Sequence, residues 1–299
     1  MPQLPFSRSG FRLSLAIVGL FLVLVTPIGC VSTTSQRDTS GMSFSRDPLV
    51  GKIIWNDLIT EDLAASKRFY ENMFDWTFQD TTSSDGRPYA LAKSGNVYVA
   101  GLLGVEPRRD GQKVSRWLPY ASVQDVDAAV DRMKEAKGSL PVPARDVRIG
   151  RVAVIVDREG AVMGLLSSRI GDPDDATTKA APGRVVLTEL LSNNPSAAAD
   201  FYHSVIGYDP RTVERRGGQY TLLTHDGVER AGILKNPTEN WSPDWLTYFG
   251  VKDPAAAAAR AEILGGKILL PVSPQIREGT IAVVTDPTGA VLVLQKVST

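Results

Sequence analysis

The sequence predicts an α+β protein made of two similar modules in tandem. The first observation behind this prediction is internal similarity, because four segments of the first half recur in the second half at offsets of 128 to 132 residues. The second observation is that each half contains the order strand–helix–strand–strand–strand twice. Offsets this constant indicate a duplicated module, and each module should therefore contain two βαβββ motifs.

The repeats cover helices and strands alike. "SKRFYENMFDW" at 66–76 matches "AADFYHSVIGY" at 198–208, and "RVAVIVDREGAV" at 151–162 matches "TIAVVTDPTGAV" at 280–291. Within the first module a strand at 52–59 precedes a helix that begins near Asp62, and the pattern restarts with a strand at 118–123. The predicted organisation is a signal peptide at 1–29, a flexible tether at 30–49, a first module at 50–170, a polar linker at 171–183 and a second module at 184–299.

Composition excludes several classes of function. Lys plus Arg and Asp plus Glu both number 33 in the 299 residues, so no excess of positive charge indicates nucleic-acid binding. The chain has two histidines and one cysteine, and His203 and His225 are both expected on exposed surfaces. Hence no Ser/His/Asp or Cys/His arrangement is expected in the folded modules.

The N-terminus predicts export. Arg8 and Arg12 precede the apolar run "LSLAIVGLFLVLVTPI" at 13–28, which ends in "PIGC" and the single cysteine, Cys30. "IGC" after such a run resembles the lipobox of bacterial lipoproteins, although Pro27 stands where that motif usually has Leu. The resemblance implies a lipid on Cys30 and a membrane-anchored protein of the cell envelope, in the outer membrane if the source has one. An uncleaved anchor, or a secretory signal with a chance cysteine, is the alternative.

The segments "DLAASKRFY", "DVDAAVDRM" and "DPTGAVLVL", in this element order, resemble the vicinal oxygen chelate superfamily. Glyoxalase I, bleomycin-resistance proteins and extradiol dioxygenases are members of it. The resemblance covers residues 50–296 and implies that each module is a curved mixed sheet, a cup, with helices on the outside. It also implies that the two modules form an intrachain pseudo-dimer.

In metal-dependent members, strands of these motifs supply His, Gln or Glu ligands to a divalent ion. Alignment with the repeats places side chains without a suitable donor at those positions in this chain: Trp55, Leu118 and Gly164 in the first module, and Leu187, Leu246 and Val293 in the second. The remaining ligand strand of the second module contains one acid, Glu229. We therefore expect no metal and no cofactor.

Strand alternation predicts what lines the cups instead. Residues two apart share a face, so Asp57 should accompany Trp55, and Tyr120 should accompany Leu118. The equivalent second-module pairs are Leu187 with Glu189 and Leu246 with Tyr248. Each cup should thus be mostly apolar with one carboxylate and one phenol, as small-molecule pockets are. Arg148 and Arg277 are expected near the cup rims, as anion clamps or as solvated loop residues.

Three functions remain open from the sequence. The first is a metal-independent module that binds a small, partly apolar molecule. The second is a metal-independent isomerase or lyase that uses Asp57 or Glu189 for proton transfer, with a tyrosine as donor. The third is a structural envelope protein whose cups are filled with side chains.

Overall fold

The computed structural model of the chain describes residues 43–175, 181–215, 218–238 and 241–298. In chain order, the elements of the first half are β1 (Phe44–Ser45), β2 (Ile53–Thr60), α1 (Leu63–Phe74), β3 (Thr77–Thr82), β4 (Pro88–Ser94), β5 (Val97–Gly104), β6 (Arg116–Ser122), α2 (Val126–Glu135), β7 (Ser139–Val147), β8 (Gly150–Val156), β9 (Val162–Ser168) and β10 (Asp172–Pro173). Those of the second half are β11 (Val185–Ser192), α3 (Pro195–Ile206), β12 (Asp209–Arg215), β13 (Gly218–His225), β14 (Val228–Lys235), β15 (Asp244–Val251), α4 (Pro254–Ile263), β16 (Lys267–Leu270), a short 3₁₀ helix (Arg277–Gly279), β17 (Ile281–Thr285) and β18 (Val291–Lys296).

Each module forms one mixed sheet of eight strands. The first sheet has the order β3-β4-β5-β2-β6-β9-β8-β7, and the second has the equivalent order β12-β13-β14-β11-β15-β18-β17-β16. Each βαβββ motif contributes four neighbouring strands, and its first strand is parallel to its last. The predicted α+β fold of two tandem modules is confirmed.

Each of the four described α-helices begins at a side chain that accepts a backbone hydrogen bond. The Asp62 carboxylate accepts from the Ala65 amide at 2.9 Å, which fixes the start of α1 where the sequence predicts it. Such caps satisfy one of the free N–H groups of a first turn and stabilise a helix by about 1 kcal/mol. The caps of α2, α3 and α4 are Asp125, Asn194 and Asp253.

The main hydrophobic cores are shared between the modules. One core contains side chains of α1 and the strands next to it, together with side chains of α4 and the strands next to that helix. In this core Phe74 stacks on Phe249, with ring centroids 5.2 Å apart. The other combines α2 with α3, and includes Met133 and Phe201. Because each core takes half of its side chains from each module, the two sheets bury their helix-covered faces against one another and turn their other faces away.

A chain of buried hydrogen bonds crosses between the modules beside the first of these cores. Trp117 Nε1 donates to the phenol oxygen of Tyr70 at 3.0 Å, and that phenol donates to Asp286 Oδ2 at 3.4 Å. Trp117 lies on the helix side of β6, in the shared core. A second chain of hydrogen bonds has the same arrangement. Trp245 Nε1 donates to the phenol oxygen of Tyr202 at 2.7 Å, and that phenol donates to Asp157 Oδ2 at 3.2 Å.

Two features go beyond the sequence prediction. Strands β3 and β12 follow helices α1 and α3 at the sheet edges, where their mostly exposed side chains lack a clear alternation. Strand β1 lies in the segment expected to be a flexible tether, and it pairs with β10 in the linker. Buried Asp172 explains this docking, because its carboxylate accepts from the Leu49 amide at 2.6 Å and from Ser122 Oγ at 2.5 Å.

The described helices have at most 12 residues, and none of them is long and apolar enough to cross a bilayer. The predicted signal peptide at 1–29 and Cys30 lie outside the described residues.

Candidate functional site

The face of the first sheet that points away from the helices is called the first cup. Strand β2 places Leu58 in the shared core, and therefore turns Trp55 and Asp57 to the cup face. The indole Nε1 of Trp55 donates to Asp57 Oδ1 at 2.8 Å. Asp57 is 9% exposed, so this carboxylate lies in the wall of the cup with its side chain almost removed from water.

A third side chain, which sequence reasoning missed, completes this contact. Tyr89, on β4, donates its phenol to Asp57 Oδ1 at 2.6 Å and lies 3.3 Å from Trp55 Nε1. Gly101 on β5 makes room for the pair, because a Cβ at that position would overlap both the phenol oxygen and the carboxylate. A signal was available, since Tyr89 and Tyr220 open the matching repeats "YALAKSG" and "YTLLTHD".

Tyr120 is the fourth side chain of this cluster. It lies on β6 opposite Gly164 of β9, where a Cβ would overlap its ring, and it is within hydrogen-bonding reach of Asp57.

Burial raises the pKa of the Asp57 carboxyl, while hydrogen bonds from Tyr89, Trp55 and Tyr120 oppose that shift. Burial and the nearby Asp57 charge raise the pKa values of Tyr89 and Tyr120 well above normal. Leu118, two residues before Tyr120, is buried.

An ion pair joins opposite edges of the first sheet. Arg145 on β7 reaches Asp85, in the turn between β3 and β4, at 3.0 Å, and Arg87 reaches the same carboxylate at 2.6 Å. Strands β4 and β7 are six positions apart in the sheet order, which would separate them by about 29 Å if the sheet were flat. The sheet must therefore curl, and these three residues lie across the mouth of the cup.

The second cup has a related cluster with a different charge balance. Tyr220 donates to Glu189 Oε1 at 2.8 Å, as Tyr89 does to Asp57. Arg277 also enters this cup, where its guanidinium donates to Glu189 Oε2 and lies 5.3 Å from the ring centroid of Tyr248. Its side chain is 13% exposed and that of Glu189 is 2% exposed, so the carboxylate is neutralised by a largely buried partner.

Apolar side chains close the second cup. Val293 occupies the position of Gly164 and is fully buried, and Glu189 is 1% exposed against 9% for Asp57. The buried cluster consists of Leu191, Leu246, Tyr248, Ile281, Val283 and Val293, with Leu187, Trp241, Leu270 and Ile276 among the partly buried side chains packed on it. In the first cup Leu118, Val152, Val154 and Leu166 are buried as well, but Trp55, Tyr89 and Tyr120 each keep partial exposure.

The two arginines expected at equivalent rim positions differ in placement. Arg277 lies inside the second cup, whereas Arg148 lies in the turn between β7 and β8 and is exposed. The positive charges that act on Tyr120 in the first cup are those of Arg145 and Arg87. The repeat alignment paired Arg148 with Arg277 by position in the loop, but the direction of each side chain is set by the local turn.

The other ionisable candidates lie away from the cups. His203 is exposed as expected, and its ring nitrogen contacts the Tyr208 carbonyl at 2.6 Å. His225 is only partly exposed, because it packs at the end of α3 and contacts the Gly207 carbonyl at 2.9 Å. Glu229 pairs with Arg215 at 3.0 Å on the surface of the second module.

The donor set does not fit a divalent metal. The side chains at the aligned ligand positions are an indole, leucines, a valine and no side chain at all. The carboxylates nearest to them, Asp57 and Glu189, are already held by aromatic donors and, for Glu189, by Arg277. Within the described parts of the chain, no group of three or more His, Cys, Asp or Glu side chains could hold a metal ion.

Fold, duplicated motifs and cups define the class of protein. The profile of the Glyoxalase/Bleomycin resistance protein/Dioxygenase superfamily matches residues 52–175 and 184–294, and the chain belongs to this superfamily. The match contains both modules.

Two kinds of relative are similar over nearly the whole chain. "Putative glyoxylase CFP32" of Mycobacterium tuberculosis is 32% identical over 247 residues, which cover 81% of this chain and 93% of that protein. "Anthracycline biosynthesis protein DnrV" of Streptomyces peucetius is 30% identical over 253 residues, which cover 80% of this chain and 91% of that protein.

Solved structures share the fold at low identity. The Mn(II)-bound glyoxalase from Novosphingobium aromaticivorans has a TM-score of 0.52 and 16% identity, and the match covers 84% of this chain and 83% of that one. A variant of homoprotocatechuate 2,3-dioxygenase from B. fuscum has a TM-score of 0.54 and 13% identity, with 84% and 72% covered. These likenesses concern the fold alone.

Proposed function

We propose that this protein is a metal-independent, glyoxalase-like binding protein of the cell envelope, and that its first cup binds a small, partly apolar molecule. The observation that carries the proposal is the position of Asp57, a nearly buried carboxylate in an aromatic wall that is still partly exposed. A few polar groups in an apolar concave surface are what recognition of small organic molecules requires. The named relatives differ in role, so membership of the superfamily does not select the ligand.

The second cup takes no part in binding under this proposal. Its carboxylate is paired with Arg277, and apolar side chains fill the space above its floor. The third possibility, filled cups with a structural role, is thus favoured for the second module only.

Analysis of small molecules retained by the purified protein tests the binding function. We expect mass spectrometry to detect a retained organic molecule in the wild type and in Glu189→Gln, and to detect much less of it in Asp57→Asn. The matched pair controls for the general effect of losing a carboxylate. Equal retention by both variants, or no retention by the wild type, would contradict binding in the first cup.

Metal independence rests on the donor set, since the aligned positions carry side chains that cannot coordinate a hard ion. Elemental analysis of the purified protein should find no stoichiometric divalent metal. About one metal per module would overturn this part of the proposal.

A metal-independent lyase or isomerase is the second candidate. Burial raises the pKa of Asp57, which favours a carboxyl that can exchange a proton with a bound substrate, and Tyr120 lies beside it as a donor. If such chemistry occurs, Asp57→Asn should abolish turnover, and Glu189→Gln should have a small effect because Arg277 already engages that carboxylate. Unchanged turnover in Asp57→Asn would exclude this mechanism.

The membrane anchor is a further part of the proposal. Its support is the sequence "PIGC" after an uncharged apolar run, with the lipid on Cys30. Radioactive palmitate should label the wild-type protein in cells and should not label Cys30→Ala. Equal labelling of both would exclude a lipid on this cysteine.

A further inference from the structure

The mouth of the first cup carries two arginines that face the cup. Arg145 is opposite Val152 on β8, and Val152 is opposite Leu166 on β9, so all three side chains share one face of the sheet. Alternation along β8 turns Ala153 into the shared core, which identifies the face of Val152 and Arg145 as that of the cup. Arg87 precedes Tyr89 by two residues. Arg87 and Arg145 both form ion pairs with Asp85, and these two ion pairs lie at the mouth of the cup.

The charges at this mouth do not balance. Two guanidinium groups share the single carboxylate of Asp85, which leaves one positive charge in excess. In addition, Arg145 Nε is buried from solvent and has no hydrogen-bond partner among the described residues. A buried N–H group without a partner is unfavourable, so a group that accepts from it would be bound favourably.

These arginines are close to the cluster around Asp57. Their charges act on the Tyr120 phenol, and Tyr120 is within hydrogen-bonding reach of Asp57. A molecule in the first cup would therefore meet cations at the mouth, aromatic rings along the wall and a carboxylate acceptor at the inner end. In the second cup, Arg277 is already paired with Glu189.

We propose that Arg87 and Arg145 form a carboxylate subsite, and that the ligand of the first cup is an apolar or aromatic hydroxy acid whose hydroxyl group donates to Asp57. This inference rests on the proposed binding function of that cup. One excess positive charge matches a carboxylate rather than a doubly charged phosphate, and the planar guanidinium presents parallel donors to the two carboxylate oxygens.

Three rigid fluorescent probes test the inference on the purified full chain. The first, 6-hydroxy-2-naphthoate, carries both groups; 6-hydroxy-2-naphthamide lacks the charge, and 2-naphthoate lacks the hydroxyl. Titrations would compare the wild type with Arg145→Gln, Asp85→Asn and Asp57→Asn. Arg108→Gln is the matched control. Arg108 forms an exposed ion pair with Asp110, two residues away in sequence, and Arg87 forms an ion pair of the same spacing with Asp85.

We expect Arg145→Gln to weaken binding of the hydroxynaphthoate by about tenfold, since a charge-assisted hydrogen bond is lost, and to leave the amide unaffected. Asp85→Asn should tighten binding of the hydroxynaphthoate several-fold, because the competing carboxylate is removed. A purely structural role of the ion pair predicts the opposite sign for Asp85→Asn. Asp57→Asn should weaken the two hydroxylated probes and not 2-naphthoate.

The outcomes separate the subsite from the binding function. If Arg145→Gln and Asp85→Asn bind the hydroxynaphthoate as the wild type does, while Asp57→Asn still weakens the hydroxylated probes, the carboxylate subsite is rejected and binding in the first cup stands. If the wild type binds none of the probes, the subsite is rejected, and retention of small molecules by the purified protein decides on the binding function separately.

Discussion

The phenol of Tyr70, in the first module, donates a hydrogen bond to the carboxylate of Asp286, in the second. Asp286 also accepts hydrogen bonds from the Thr288 and Ala290 amides, at 2.8 and 3.0 Å, within the turn between β17 and β18. One carboxylate thus shapes a hairpin of its own module and holds a helix of the other. The repeated segments that contain "FY" and "DPTG" thus supply residues of the interface between modules.

Tyr70→Phe should destabilise the protein by about 1–3 kcal/mol, because it leaves the buried Trp117 Nε1 without its acceptor. Urea unfolding measures the effect. Tyr98→Phe is the matched control, since the Tyr98 phenol bonds Gln79 at an exposed position and should contribute little. Equal effects of the two substitutions would show that the buried chain has no special role in stability.

Gly101→Ala should displace Tyr89 from Asp57, because the added methyl group would occupy the position of the phenol oxygen. Overpacking of this kind costs about 1–3 kcal/mol. We expect weaker retention of the ligand of the first cup together with a lower unfolding midpoint. Gly218→Ala is the control, as a Cβ there has no neighbour within 4 Å; a comparable loss in that variant would contradict the explanation.

Arg277→Met should strongly destabilise the second module, by about 3–5 kcal/mol, because it leaves Glu189 buried without its counter-ion. The double variant Arg277→Met with Glu189→Gln should lose much less than the sum of the two single variants. A double-mutant cycle in urea measures this coupling. Additive losses would mean that the ion pair contributes no coupling energy.

The stability contribution of Asp57 should depend on pH. Its pKa is raised in the folded protein above the ordinary value of 3.8, mainly by burial, so the folded state binds this proton more tightly than the unfolded state. That contribution is complete below about pH 3.8 and is lost as the pH rises through the folded pKa. Wild-type protein should therefore lose stability relative to Asp57→Asn between pH 4 and 7, as measured by urea unfolding at each pH. A constant difference across this range would contradict the raised pKa.

Internal repeats with helical and strand periodicity were sufficient to predict two modules of two βαβββ motifs each, and the resemblance to the superfamily implied the curved mixed sheet. The pairing of Trp55 with Asp57 on one face likewise follows from strand alternation. Edge strands β3 and β12 gave a weaker signal, since a strand that is mostly exposed on both faces has little reason to alternate.

The mouth of the first cup could not be predicted in the same way. Asp85 and Arg145 are 60 residues apart in sequence and meet because an eight-stranded sheet curls. Arg148 and Arg277 occupy equivalent places in the repeats, yet only Arg277 enters a cup. Alignment within a chain transfers backbone position well, but it does not transfer the direction of a long side chain in a loop.

The shared cores make the chain equivalent to a dimer whose subunits are covalently joined. Such a fusion removes the concentration dependence of assembly, and it also removes the constraint that a symmetric dimer imposes on its two subunits. In a symmetric dimer, a substitution that fills one cup fills both. Here Val293 and Arg277 occupy the second cup, while in the first cup Gly164 makes room for the ring of Tyr120. A substitution in one cup can therefore arise without a matching change in the other.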